Sequence, residues 1–324
     1  MDRRKLIKFG SSSHVLSIPN YWLKKNKLKK GDLLYFDENK DGELILFHEL
    51  RREESLKKIT IKAENKSLDR LGREILSAYI NNFNVIVITG DNLNILMKEI
   101  RKILHSFVAL EIVEEDNKKI IAKDFLNLKD ISIYENIRRM DIIIRGMFED
   151  MVKSAHEDLS SSIYQRDYDV NRFCFLILRA INGAMDNPAI ARTLTVQHKD
   201  LLPIWTLSSS MEDIGDEIKR VSRFLSGQKL DDEMKKSFKN IFLKVEKAYL
   251  DVMKAYYTNN IELAFQIDSL KDVLIDDCNK LFEKYPSSGT GRILERLKKL
   301  IYGIGSIGWV VFGSGFSEKE KTSI

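Results

Sequence analysis

The sequence predicts a multi-domain, mainly α protein: a small β unit at the N-terminus, a short α/β region, and a helical region built as a duplicated three-helix bundle. Three observations lead there. The first fifty residues break into short alternating runs punctuated by turn residues, the next seventy alternate strand-like and helix-like segments, and the remainder carries apolar residues at helical spacing almost to its end. A chain of 324 residues has room for two or three domains, and with 44% hydrophobic and 31% charged residues it can fill their cores.

Residues 1–50 are read as short strands over 5–9 and 15–18, separated by Gly10 and three serines, then a helix over 21–26 and two further strands over 33–37 and 43–47. Asp41 and Gly42 between the last two runs form a hairpin signal. So few large apolar side chains make this unit marginal alone, so it is expected to need a partner to close its core. Residues 57–130 are read as a linker domain with strands over 59–63, 85–89, 110–114 and 120–122 and helices over 68–83 and 92–107. No glycine-rich phosphate loop marks its strand ends, which suits a structural spacer.

From residue 136 the pattern is helical. Ile204, Leu207, Met211, Ile214, Ile218, Val221 and Leu225 alternate spacings of three and four, the seam of a helix in a bundle. Breaks near Asn187 and Pro188, at Gly227, at Asn259 and Asn260, and over 286–289 divide residues 135–313 into six helices, two sets of three, with 314–324 left as a tail. The second helix of each set carries a polar pair at i, i+4: Asp167 with Asn171, and Asp268 with Asp272. The third helix of the first set carries Glu212 and Asp216 around Gly215. Such pairs share a helix face, so two of them from neighbouring helices can converge oxygen ligands on a cation. Acids at this spacing are equally at home on a solvated face.

Other chemistry finds little support. Gly303, Gly305 and Gly308 fit a dinucleotide fingerprint but follow a helix rather than a strand, so no nucleotide is expected and close helix packing is the better account. His14, His48, His105, His156 and His198 form no metal or catalytic spacing, and Cys174 and Cys278 stand alone in apolar contexts. The basic start is followed by polar residues rather than an apolar stretch, and residues 300–316 are too short and glycine-rich for a spanning helix, so the protein is expected in the cytoplasm. Residues 1–30 hold nine Lys or Arg against one acid, a density suited to nucleic-acid phosphates or to a lysine-rich solvated surface.

The run of residues 211–216 resembles the E-x-I-G-D signature of PhoU-type phosphate-uptake regulators, with Asp167/Asn171 and Asp268/Asp272 similar to its companion motif. Residues 1–48, through Arg3, Arg4, Lys5, Gly10, Ser13, Val15, Ile18, Pro19, Leu28, Gly31 and Asp32, resemble the AbrB/SpoVT/MazE DNA-binding domain, a swapped-hairpin β-barrel. Together they are similar to an archaeal-type fusion. The resemblance implies a non-enzymatic, phosphate-responsive regulator: a homodimer that contacts DNA through Arg3, Arg4, Lys5 and Lys8, with help from Lys24 and Lys25. It acts on a phosphate ABC transporter or on its genes. It also implies iron, manganese, zinc or magnesium on Asp167, Asn171, Glu212, Asp216, Asp268 and Asp272. Domains of this N-terminal kind also serve only in dimerisation or docking. In the second third helix Tyr302 and Ser306 stand where the signature has Glu and Asp, so its metal site is expected to be weak or empty. The alternative from another class, a carboxylate-metal bundle enzyme, lacks the Glu-x-x-His pairs such enzymes use.

Overall fold

A computed structural model of the chain describes residues 3–38, 42, 44–48, 56–91, 93–154, 157–226 and 231–319. The chain divides into two compact units, Met1–Leu56 and Lys57–Ile324. It is mainly helical, with ten α-helices and three small sheets among the described residues.

In the first unit, β1 (Ile7–Phe9) pairs antiparallel with β2 (Ser13–Val15), and β3 (Tyr35–Glu38) pairs antiparallel with β4 (Leu44–Phe47); α1 (Asn20–Lys25) lies between them in sequence. The strands are shorter than the alternation suggests. Gly10 and Gly42 take positive φ where the turns require it, while Asp41 of the expected hairpin signal lies outside the described residues. The two hairpins do not pair with each other, and none of the described side chains from 3 to 48 is buried. Ile7, Phe9, Leu33, Phe36 and Leu44 each leave more than half their surface in solvent.

The second unit opens with a four-stranded sheet of β5 (Lys58–Lys62), β6 (Val85–Thr89), β7 (Leu110–Glu115) and β8 (Lys119–Asp124), in the order β5-β6-β8-β7. The β5–β6 pair is parallel and is joined through α2 (Leu68–Ile80), while the other pairs are antiparallel. α2 and α3 (Leu93–His105) bury Leu71, Ile75, Ile100 and Leu104 against Ile86 and Ile88 of the sheet. The stretch 57–130 thus has a core of its own, yet lies in the same compact unit as the helices that follow.

Those helices are α4 (Ile133–Lys153), α5 (Ser160–Asp186), the short α6 (Pro188–Thr193), α7 (Leu201–Ser226), α8 (Asp232–Thr258), α9 (Ile261–Lys284) and α10 (Ser288–Lys319). Their ends follow from local chemistry. Ser132 accepts a hydrogen bond from Glu135 N and so starts α4 three residues before the apolar pattern becomes clear. Asn259 closes α8 in the left-handed region while the adjacent Asn260 caps α9 through Leu263 N. Asn187 and Pro188 both end α5 and start α6, a short helix hidden from a reading that treats the pair as a break. α10 runs on to Lys319, so 314–319 are helical rather than tail; residues 320–324, like Gly227, lie outside the described residues.

α4, α5 and α7 pack on one another, as do α8, α9 and α10; α7 lies along α10 and α4 along α8. Gly303 permits the α7–α10 approach, since a Cβ there would stand 3.0 Å from Ile214 Cγ1. The three fingerprint-like glycines all lie inside α10, where added methyl groups would meet side chains or backbone of α7, α8 and α9.

The sheet is joined to the helices by a buried polar contact. Arg179 of α5, 2% exposed, donates to the carboxylate of Asp124 at the end of β8 and to the carbonyl of Tyr79 in α2, and its guanidinium lies 4.7 Å from the Tyr79 ring centroid. Asn182 Nδ2 donates to Ile80 O at 2.8 Å, and Asn82 Nδ2 donates back to Arg179 O at 3.2 Å. Burial raises the Asp124 carboxyl while the Arg179 charge lowers it. Arg179→Met leaves Asp124 buried with no cation and is expected to lose roughly 3–5 kcal/mol of unfolding free energy in urea titrations, with Asp124→Asn restoring part of it. A loss below about 1 kcal/mol would show the pair to be compensated by water.

Candidate functional site

The side chains singled out on the helices meet where α5 crosses α7. Gly215 faces Val170, where a Cβ would sit 3.6 Å from Val170 Cγ1, and this brings Asp167 of α5 next to Asp216 of α7. They meet through a lysine. Lys219 Nζ donates to Asp167 Oδ2 at 2.6 Å and to Asp216 Oδ1, and it lies 5.9 Å from the Tyr164 ring centroid.

The charges continue along α7. Asp216 Oδ2 accepts from Arg220 Nη2 at 2.7 Å, and Arg220 Nη1 donates to Glu217 Oε1. Arg296 of α10 reaches the same Glu217 oxygen at 3.5 Å. Asp167 and Glu217 are buried, and each keeps one carboxylate oxygen without a hydrogen-bond partner, as does the Asn171 amide oxygen.

Burial raises Glu212 from its ordinary 4.5 to about 7, with Asp216, Asp213 and Asp167 adding repulsion. Burial pulls the Lys219 ammonium down, but the hydrogen bonds to Asp167 and Asp216 outweigh that and hold it above its usual range. Burial likewise raises Asp167, against the lowering effect of Lys219. The cluster is therefore charge-balanced in part by Lys219 and in part by a proton shared out to Glu212.

The corresponding crossing of α9 and α10 is more open. Asp268 pairs with Lys271 at 3.3 Å, its side chain 38% exposed, and Asp272 is exposed. A Cβ on Gly305 would lie 3.5 Å from Lys271 Cδ and 4.0 Å from Asp268 Oδ1. Tyr302 points largely to solvent, and Ser306 Oγ is turned back to the Tyr302 carbonyl. The structure thus brings Asp167, Asn171, Glu212 and Asp216 to one crossing, and Asp268 with Asp272 to another.

A metal ion implied by the resemblance does not fit the first crossing as it stands. The ligand oxygens that would have to converge, Asp167 Oδ2 and Asp216 Oδ1, already converge on an ammonium, and Asp216 Oδ2 is held by Arg220. No group of three or more His, Cys, Asp or Glu among the described residues is arranged to hold a metal ion. Sequence reasoning passed over Lys219, Arg220, Glu217 and Arg296. Lys219 and Arg220 were nevertheless visible at i+3 and i+4 from Asp216, the spacing at which helix charges pair.

In the N-terminal unit Arg3, Arg4, Lys5, Lys8, Lys24 and Lys25 are all exposed. Lys8 lies opposite His14, on the face of the β1–β2 hairpin away from the Ile7–Val15 pair, and Lys24 and Lys25 end α1. No helix of the described residues is long and apolar enough to cross a membrane. No protein-family model matches the sequence, and comparison with curated proteins and with solved structures finds no match either.

An acid raised from 4.5 to about 7 binds its proton more tightly folded than unfolded, so stability falls as pH rises between those values and the penalty is complete above them. Glu212→Gln should remove that fall, matching the wild type at pH 5 and exceeding it at pH 8 by roughly 1–3 kcal/mol in chemical unfolding. Parallel pH profiles for the two proteins would place the Glu212 carboxyl in its ordinary range.

Proposed function

We propose that this protein is a phosphate-responsive regulator. Its first unit acts as a dimerising, DNA-binding swapped-hairpin barrel of the AbrB/SpoVT/MazE kind, its helices as a duplicated three-helix bundle of the PhoU kind, and its target is a phosphate ABC transporter or the genes for one. The observation that carries the reading is the repetition of one helix crossing. Gly215 against Val170 in the first set answers to Gly305 against Lys271 in the second, each with an aspartate, Asp167 or Asp268, three residues earlier on the facing helix. A duplication supplies that correspondence, whereas two unrelated helix trios have no reason to share it.

The first unit supports the dimeric half of the reading. Two hairpins with open outer edges, no buried side chain and apolar residues in solvent make a poor monomer, and a second copy supplies both missing strands and missing interior. Phe36 and Leu46 face each other across β3–β4 with 71% and 42% of their surface exposed, a pair placed for such an interior. The basic residues on and beside the β1–β2 hairpin suit a nucleic-acid backbone.

Sequencing the DNA bound to the protein in its own cells at high and low phosphate tests the function. Enrichment of transporter promoters supports transcriptional control. Co-purifying transporter subunits without enrichment would move the action to direct docking, and neither result would refute the regulator. In vitro, Arg3→Ala with Arg4→Ala should flatten the dependence of log K on log salt by up to about two units, since each neutralised phosphate contributes about −0.9. An unchanged slope would put the contacts elsewhere. Phe36→Asp should convert the full-length dimer to monomer in sedimentation runs, and a dimer that withstands it would remove β3–β4 from the interface.

A further inference from the structure

Metal ions in helical bundles cross-link helices by drawing carboxylates from two of them onto one positive centre. At the α5–α7 crossing that positive centre is part of the chain. Lys219 Nζ sits between Asp167 Oδ2 of α5 and Asp216 Oδ1 of its own helix, one donor to each. The link does not stop there. Through Arg220 and Glu217 it reaches Arg296 of α10, so that alternating charges tie together three helices drawn from both sets.

We infer that Lys219 is the resident cation of this cluster, a tethered ammonium that takes over the cross-linking role of a metal ion and makes the bundle metal-independent. The inference rests on the PhoU-like reading of the helices. Two further features support it. Asp167, 4% exposed, has its remaining oxygen Oδ1 buried without a partner, and Asn171 Oδ1 is likewise unmatched, so the crossing offers more acceptor capacity than one lysine consumes. The second crossing also sets a lysine against its aspartate, Lys271 against Asp268, although that lysine comes from the second helix and not the third.

A tethered ammonium is present at high effective concentration whatever the supply of metal, and a chelator cannot remove it. A divalent ion could enter only by displacing it from both carboxylates and leaving an unpaired ammonium beside the site. Removing the ammonium uncovers three acids, Asp167, Glu212 and Asp216, with the Asn171 oxygen, and such a set binds divalent or ferric ions.

Full-length protein purified without a chelating tag, incubated with manganese(II), zinc(II) or iron(III), desalted and assayed by mass spectrometry for metal, tests this. Wild type and Lys219→Arg should retain none, Lys219→Met should retain about one equivalent per chain, and adding Asp167→Asn to Lys219→Met should abolish it. Metal held by the wild type and lost on Asp167→Asn overturns the inference while leaving the PhoU-like reading standing. A Lys219→Met chain with a cooperative melting transition that takes up no metal also overturns it. Should Lys219→Met fail to fold, calorimetric titration of the wild type with the same ions decides: silence supports the tethered cation, and heat that disappears with Asp167→Asn refutes it. Failure of the regulator reading itself would show instead in the DNA and phosphate experiments, which do not depend on Lys219.

Discussion

The close approach of α7 and α10 is the constraint around which the second unit is arranged. Both helices are long, each anchors its own trio, and the line between them is where the trios join. Ile214 lies on Gly303 at a spacing that leaves no room for a methyl group, and the rest of the seam is filled by apolar residues buried on both helices. With the seam set, α5 and α9 take their places on the outer flanks of α7 and α10, and that placement decides which polar residues can meet.

The two crossings built this way share geometry and differ in electrostatics. At the first, carboxylates are buried or half-buried, and cations from the same helix are folded in with them. At the second, Tyr302 and Ser306 replace acids, so Lys271 and Asp268 form a half-exposed pair of the kind worth little to stability. A duplicated scaffold has kept its packing residues in register while letting its charges diverge. α4 and α8 make a third polar contact of the buried kind, where Asp141 accepts from Tyr249, Tyr257 and Arg145 and is left with both oxygens matched.

How much of this was legible in the sequence follows the range of the interactions. Helix existence was readable because the seam through Ile204, Met211 and Ile218 is local and periodic, and the α/β alternation because strand and helix runs are well separated. The start of α4 at Ser132 and the presence of α6 were missed because caps and prolines were taken as punctuation only. Convergence of Asp167 and Asp216 could be anticipated from i, i+4 spacing plus a glycine. The identity of the cation could not, because nothing in a one-dimensional pattern says whether Lys219 turns toward its own helix's acid or toward solvent. Arg179 and Asp124 were invisible for a related reason: 55 residues apart in sequence, they meet only once the sheet and α5 have been packed.

The position of Arg179 has a bearing on cooperativity. α5 is 27 residues long, about 40 Å at helical rise, and it serves two interiors at once. Val170, Cys174 and Ile177 are buried among the helices, whereas Phe175 packs on the sheet's core and Arg179 and Asn182 bond to its backbone. Neither core can open fully without exposing one side of the same helix, so the free energies of the two are joined rather than additive. A sheet that would otherwise be a separable module thereby borrows the stability of the bundle, and a fluctuation that loosens β8 is felt along α5 at the crossing where Asp167 sits.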